Sequence, residues 1–224
     1  MTYSEVKKEL KKEFTAFLKP LGYKSKCSNQ GCTFFLSKAN KECKFGYGIV
    51  NYINEFYTSI HGSLGLYPIQ NVESEIFGID EYTDTLLLNK EKYFKEINYR
   101  FKIESKNDIK EWMNIVQKFF TEFAQPFFEK YKTVADIDKL LNTNPKERVP
   151  ELDNLGQHII KGLISAKLNE NPNYEELKSF YKNEVETKFK GHFMYNNCMQ
   201  TIIFLDNHSL SELKTIANPT EKQS

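Results

Sequence analysis

The fold is decided by residues 57–67, which read YTSIHGSLGLY. Apolar and polar side chains alternate along this stretch with a period of two, the period of a β-strand that has one buried face and one mixed face. The apolar set is Ile60, Leu64 and Leu66, and the opposite set is Ser59, His61, Ser63 and Tyr67. The stretch therefore predicts one strand of a sheet with a single apolar side.

The same alternation extends outward from Tyr23 to Pro68 and is interrupted by residues that are typical of turns. These interruptions are Gly31, Asn40-Lys41, Asn54-Glu55 and Gly62. We expect three or four antiparallel strands joined by hairpins, with two further strands near residues 85–88 and 99–104.

Two helices flank this sheet in the sequence. Ser4 is a candidate N-cap for a first helix that Pro20 ends, and its apolar residues recur at intervals of three and four. A long second helix begins near Asn107 or Asp108 and carries Trp112 on its apolar side. We expect this helix to cover the apolar face of the sheet, and we expect Pro126 to interrupt it.

The chain beyond this helix has only helical periodicity. A short helix over Val134–Leu141 precedes a Pro- and Asn-rich loop, and further amphipathic segments follow. The sequence thus predicts an α+β protein with an N-terminal helix, a sheet covered by a long helix, and an all-helical C-terminal half. The predicted boundaries are an α+β domain over 1–144, a helical region over 145–218 packed on it, and a disordered tail over 219–224.

Charge is segregated along the chain although the net charge is only +1. Residues 1–50 carry +6 and residues 51–90 carry −5. Only Arg100 and Arg148 among the 31 cationic residues are arginines, the side chains that recognise phosphates and bases best. We therefore disfavour specific nucleic-acid binding and keep weak binding through the Lys-rich first helix as a further alternative.

Targeting features are missing from the sequence. The N-terminal residues lack the apolar core of a signal peptide, and no stretch approaches the ~20 apolar residues of a membrane span. We expect a cytoplasmic protein without membrane attachment. In that compartment all four cysteines, Cys27, Cys32, Cys43 and Cys198, are predicted to be reduced.

No motif for a metal or cofactor is present. Cys27, Cys32, Cys43 and His61 are the strongest zinc candidates, but their spacing does not match the paired ligands of structural zinc sites. Phosphate-binding loops and the nucleophile turn of serine hydrolases are also absent. We expect neither a bound metal nor a cofactor.

Two short motifs together resemble an uncharacterised bacterial family of small cytosolic proteins, a domain of unknown function. They are Leu18-Lys19-Pro20-Leu21-Gly22-Tyr23-Lys24 and Pro126-Phe127-Phe128-Glu129-Lys130-Tyr131. The resemblance covers roughly residues 1–140. It implies a similar order of helix, antiparallel strands and helix, and it implies a binding role of the immunity-like or accessory kind.

The leading functional hypothesis is a non-enzymatic binding protein. It would present the polar face of the sheet, or the acidic segment Glu73, Glu75, Asp80, Glu81 and Asp84, to another protein. A partner with a basic surface would fit the acidic segment, whose side chains we expect to be exposed. The alternative is a hydrolase-type enzyme in which His61 acts as a general base beside Ser59, Ser63 and Tyr67.

Overall fold

The computed structural model describes residues 1–53, 55–79, 83–95, 99–152 and 154–219, and it confirms the α+β class. The chain divides into two compact units: unit 1 comprises 1–64 and 88–130, and unit 2 comprises 65–87 and 131–224. This division differs from the predicted boundary near residue 144, because residues 65–87 and 131–144 group with the C-terminal helices. A single domain boundary cannot describe this division, because the chain leaves unit 1 after residue 64 and re-enters it at residue 88.

Helix α1 (Tyr3–Leu18) opens unit 1. Its N-cap is Thr2 and not Ser4, and a capping box joins Thr2 to Glu5. The buried stripe falls on the predicted positions Val6, Leu10, Phe14 and Leu18. The one-turn helix that follows over Lys19–Leu21 contains Pro20 and ends at Gly22.

The sheet follows α1, and its antiparallel arrangement is as predicted. Its strands are β1 (Lys24–Cys27), β2 (Gly31–Lys38), β3 (Lys41–Tyr52), β4 (Glu55–Leu66), β5 (Leu86–Leu87) and β6 (Phe101–Ile103). They lie in the order β1-β2-β3-β4-β5, and β6 also pairs with β4. Within the part of the chain that the structure describes, β1 pairs with β2 alone, so it is an edge strand.

One face of the sheet is packed with aromatic rings. Phe14 of α1 contacts Phe34 of β2 and Tyr47 of β3, with ring centroids 6.0 and 4.5 Å apart. Helix α4 (Lys106–Phe119) packs on the same face, and its Phe119 stacks on Phe45 of β3 at 6.1 Å. Such ring pairs stabilise a core by about 0.5–1.5 kcal/mol each, beyond the effect of the apolar area that they bury.

Helix α4 packs on the sheet, as predicted. We expected contacts with Ile60, Leu64 or Leu66, and all three are buried. The aromatic contacts of α4 are made with Phe45 of β3 and, through Trp112, with Phe101 of β6. The N-cap of α4 is Ser105, which forms a capping box with Asp108. The helix therefore begins slightly earlier than the predicted N-caps, Asn107 or Asp108, would place it.

The predicted interruption at Pro126 is confirmed. A π-helical turn over Phe120–Ala124 separates α4 from α5 (Gln125–Lys130). Proline lacks the N–H that an α-helix needs and clashes with the carbonyl four residues earlier, so the preceding turn widens. Unit 1 also contains the short helix α3 (Lys90–Phe94).

Unit 2 is built around α7 (Leu155–Leu168), most of whose residues are buried. The other helices are α2 (Tyr67–Phe77), α6 (Val134–Asn142), α8 (Tyr174–Lys188), α9 (Phe193–Asn207) and α10 (Leu210–Ala217). Helix α10 lies inside the helical region predicted over 145–218, and the capping box of Ser209 and Glu212 that marks its start is visible in the sequence. Of the predicted disordered tail, residues 220–224 lie outside the described residues.

No helix in the described ranges combines the length and the apolar character that a membrane crossing requires.

Candidate functional site

His61 lies on the polar face of the sheet, where the alternation of β4 placed it. Its Nε2 atom is 3.0 Å from the hydroxyl oxygen of Thr33. Thr33 is on β2 and pairs with Gly46 of β3. The imidazole therefore extends across the intervening strand at the position where that strand has no side chain.

Gly46 makes this arrangement possible. A Cβ atom added there would lie 2.7 Å from Nε2 of His61 and 2.2 Å from the carbonyl oxygen of Cys32. Both distances are shorter than any ordinary carbon contact. The glycine inside β3 therefore leaves the space that the His61 ring occupies.

An open groove of 390 Å³ surrounds this contact. We call it the His61 groove, and its lining includes Lys26, Gly31, Thr33, Gly48 and His61 together with Cys27, Ser28 and Gln30 of the hairpin. Lys26 pairs with Thr33, so Lys26, Thr33 and Gly46 form one row across three strands on the side that carries His61. None of the described residues that line the groove is acidic.

The hairpin between β1 and β2 is held from several sides. The Ser28 N–H donates to the carbonyl oxygen of Gly31 at 2.9 Å, and the Ile49 N–H of β3 donates to that of Gln30 at 2.7 Å. The Tyr3 hydroxyl of α1 donates to the carbonyl oxygen of Asn29. The rim of the groove is therefore ordered by its own contacts before any ligand binds.

The cysteine prediction is wrong for one pair. Cys27 and Cys32 face each other across the hairpin with Cα atoms 4.1 Å apart, and they form a disulfide. The pairing register of β1 and β2 places these two thiols opposite each other, and the sequence alone does not give that register. This pair removes the argument that the cysteines belong to a reducing compartment. Cys43 and Cys198 are free and buried, and burial raises the pKa of the Cys198 thiol to about 12.

The four residues proposed for a general-base pocket differ in their exposure and in the elements that carry them. Ser59 lies near the groove, since its hydroxyl oxygen would be 3.8 Å from a Cβ atom added at Gly48. Ser63 is buried, with 5% of its surface exposed, and Tyr67 begins α2 and belongs to unit 2. The strand ends at Leu66, so the alternation that grouped Tyr67 with His61 does not continue to it.

The acidic segment also differs from the prediction of exposed side chains. Glu73 is buried with 2% exposure and accepts a hydrogen bond from the Thr83 hydroxyl. Glu75 is exposed and Asp84 is half-buried. Asp80 and Glu81 lie outside the described residues. The apolar periodicity of α2 places Glu73 on its inner side, between Ile69 and Ile76.

A metal centre finds no geometric support. Within the described ranges, no three His, Cys, Asp or Glu side chains lie together in a way that could hold a metal ion. Two of the four zinc candidates, Cys27 and Cys32, are joined to each other.

Unit 2 contains a buried polar cluster that the sequence did not reveal. The carboxylate of Asp138, 4% exposed, accepts hydrogen bonds from Asn142 at 2.6 Å, Asn169 at 2.7 Å and Asn171 at 2.9 Å. The Tyr181 hydroxyl donates to the Asn142 amide oxygen at 2.7 Å. These donors ligate the carboxylate from within the fold, so the cluster ties three helical segments together rather than offering a site.

His158 borders this cluster on α7. Its Nε2 atom is 2.9 Å from the carbonyl oxygen of Leu141, and its ring packs against Tyr181. Burial lowers the pKa of His158 below its usual 6.5, and the hydrogen bond to Leu141 offsets this only in part. The histidine is a neutral structural residue near pH 7.

Comparisons with protein-family models, with curated proteins and with solved structures found no match for this chain.

Proposed function

We propose that this chain is a non-enzymatic binding protein that holds an acidic group of a partner protein in the His61 groove. The observation that carries the proposal is the lining of the groove, which includes Lys26, Thr33 and His61 and no acidic side chain among the described residues. An ammonium, a hydroxyl and an imidazole around one opening are suited to bind a carboxylate.

The charge distribution supports an acidic partner. Residues 1–50 carry +6, and β1 contributes Lys24 and Lys26 on an exposed strand. Segregated positive charge speeds the encounter with an acidic surface and selects against basic ones. The sheet face, one of the two surfaces expected from the sequence, is therefore favoured over the acidic segment, because Glu73 is buried in α2.

The groove is preformed, and this also favours recognition. Its hairpin rim is held by contacts with α1 and β3, so ordering it on binding costs little conformational entropy. An accessory or immunity-like role agrees with such a preformed protein-binding surface and with the family resemblance described above.

The hydrolase alternative has less geometric support. His61 has a hydroxyl neighbour in Thr33, and Ser59 lies near the groove. Of the other two hydroxyls assigned to that pocket, Ser63 is buried, and β4 ends before Tyr67, which begins α2. We therefore place His61 in a binding role and let the experiment below separate it from a catalytic one.

The test begins with affinity capture of partners from the native cell and purification of the captured protein. Its affinity is then measured by calorimetry for the wild type, Lys26→Glu and His61→Ala, with Lys110→Glu, on the exposed side of α4, as the matched charge control. We expect Lys26→Glu to weaken binding about tenfold or more and Lys110→Glu to leave it unchanged.

Two results would contradict the proposal. One is equal affinity of the purified partner for wild type, Lys26→Glu and His61→Ala. The other is a change in the partner's mass that the wild type causes and His61→Ala does not, which would establish catalysis.

A further inference from the structure

We infer that the partner enters as an extended segment that adds a strand to the open edge of β1, with acidic side chains at alternate positions facing Lys24 and Lys26. The inference rests on the proposed function and names how its partner is held. Its evidence is the register of the first three strands together with the exposure of β1.

The register determines which backbone groups of β1 face outward. Ser28 and Gly31 form a hydrogen-bonded pair at the hairpin, with the Ser28 N–H donating at 2.9 Å. Hydrogen-bonded and non-hydrogen-bonded pairs alternate along an antiparallel ladder. Lys26 and Lys24 therefore bond to Thr33 and Phe35 of β2, whereas the N–H and C=O groups of Ser25 and Cys27 point away from β2.

These outward groups are accessible. All four residues of β1 are exposed, and no other strand in the described part of the chain pairs with its outer side. Such an edge is a template for a further strand, which would gain up to four backbone hydrogen bonds from Ser25 and Cys27.

The side chains of β1 select the kind of strand that is added. Lys24 and Lys26 lie on the face that carries Thr33 and His61, because Lys26 is directly opposite Thr33. In a strand added antiparallel to β1, the residues opposite these lysines form the non-hydrogen-bonded pairs, in which side chains are closest. Opposite charges at this distance stabilise a pair, so acidic residues at alternate positions fit.

The same lysines argue against a second copy of this chain as the occupant. Two β1 strands paired edge to edge would bring Lys24 and Lys26 of one copy beside those of the other. Lysines on an edge strand commonly prevent self-association for this reason. A partner strand with alternating acids avoids the repulsion and uses the same lysines.

The experiment uses synthetic peptides and the full-length wild-type protein. The parent peptide alternates threonine and glutamate over eight residues, and a shuffled peptide of the same composition groups the glutamates together. Two further peptides carry N-methyl groups, one on the glutamates and the other on the threonines. Affinities are measured by fluorescence anisotropy at low salt.

Strand addition predicts a specific pattern. Threonines that face Ser25 and Cys27 donate their N–H groups to β1, so methylating them should weaken binding about tenfold or more. Methylating the glutamates, whose N–H groups point away from β1, should leave affinity within about twofold of the parent. The shuffled peptide should bind weakly, since its acids cannot face both lysines.

Variants of the protein give a second, independent readout. The double variant Lys24→Glu/Lys26→Glu should no longer bind the glutamate peptide, and it should bind the corresponding threonine–lysine peptide instead. Ser25→Pro should remove the outward N–H and abolish binding, whereas Ser25→Thr should retain it. Circular dichroism establishes whether Ser25→Pro is folded, and the N-methyl pair does not depend on that variant.

The outcomes separate the inference from the proposed function. If the parent, the shuffled and both N-methylated peptides bind equally and Lys26→Glu weakens them all, strand addition is wrong and the acid-binding groove stands. If no acidic peptide binds, and the purified partner binds Lys26→Glu as tightly as the wild type, the proposed function is wrong as well. Formation of a wild-type dimer that Ser25→Pro disrupts would replace the partner strand with a second copy.

Discussion

Nε2 of His61 lies 3.0 Å from the hydroxyl oxygen of Thr33, although β3 separates the two strands that carry them. The contact passes over Gly46, which pairs with Thr33. Gly48, two residues further along β3, has room for a methyl group, because an added Cβ atom there would lie at ordinary contact distances of 3.8 and 3.9 Å from its nearest neighbours.

These two glycines give the first prediction. Gly46→Ala should destabilise the protein by about 1–3 kcal/mol, because its Cβ atom would meet the carbonyl oxygen of Cys32 at 2.2 Å. Gly48→Ala should change stability by less than about 0.5 kcal/mol. Urea denaturation compares the two, and equal midpoints would show that β3 accommodates a methyl group at either position.

Trp112 is the largest fully buried side chain, and its indole packs on Phe101. Trp112→Ala should cost about 3–5 kcal/mol because the cavity cannot fully collapse. Its Nε1 atom has no hydrogen-bond partner among the described atoms, so Trp112→Phe should cost clearly less. Chemical denaturation measures both, and a Phe variant as unstable as the Ala variant would contradict this account.

The buried carboxylate of Asp138 should be important for unit 2. Asp138→Ala leaves the amide groups of Asn142, Asn169 and Asn171 without their acceptor, and we expect a loss of about 3 kcal/mol. Asp206→Ala is the control, since Asp206 pairs with Lys178 at the surface and such pairs contribute little. Thermal unfolding that does not distinguish the two variants would show that the cluster is dispensable.

The lowered pKa of His158 predicts a pH dependence of stability. The unfolded chain takes up a proton below about pH 6.5 and the folded chain resists it, so the free energy of unfolding should fall as the pH drops below 6.5 and stay constant above it. His158→Gln, which still offers an N–H to Leu141, should reduce this dependence. His192→Asn, at an exposed N-cap, should leave it unchanged. Identical pH profiles for the two variants would contradict the assignment.

Two acids of α2 should behave differently. Glu73→Ala should cost about 1–3 kcal/mol, because it removes a buried acceptor from the Thr83 hydroxyl. Glu75→Ala, on the exposed side of the same helix, should be nearly neutral. Denaturation midpoints measure both, and an unaffected Glu73→Ala would restore the interpretation of this segment as a solvated surface.

Local patterns predicted much of the secondary structure. Alternation in residues 57–67 gave β4, intervals of three and four gave α1 and α4, and Pro126 gave the interruption after α4. Each of these features depends on side chains that are close in sequence, where the periods of strand and helix act directly. Capping boxes are local too, and Ser209 with Glu212 would have predicted α10.

The site itself was only partly visible in the sequence. His61 and Ser59 were identified because alternation places them on the polar face of β4. Lys26, Thr33 and Gly46 belong to the same site through the pairing of three strands. No local pattern contains that register, so these residues could not be joined to His61 in advance.

The sequence by itself determined the class of fold, helices α1 and α4, the antiparallel arrangement of the sheet, and the face on which His61 lies. Tertiary structure alone decided the pairing of Cys27 with Cys32, the burial of Glu73 and Asp138, and the grouping of residues 65–87 with the C-terminal helices. The physical reason is that periodicity records which side of an element is buried, whereas strand register and helix packing record which distant residues meet there, and those contacts depend on the whole chain.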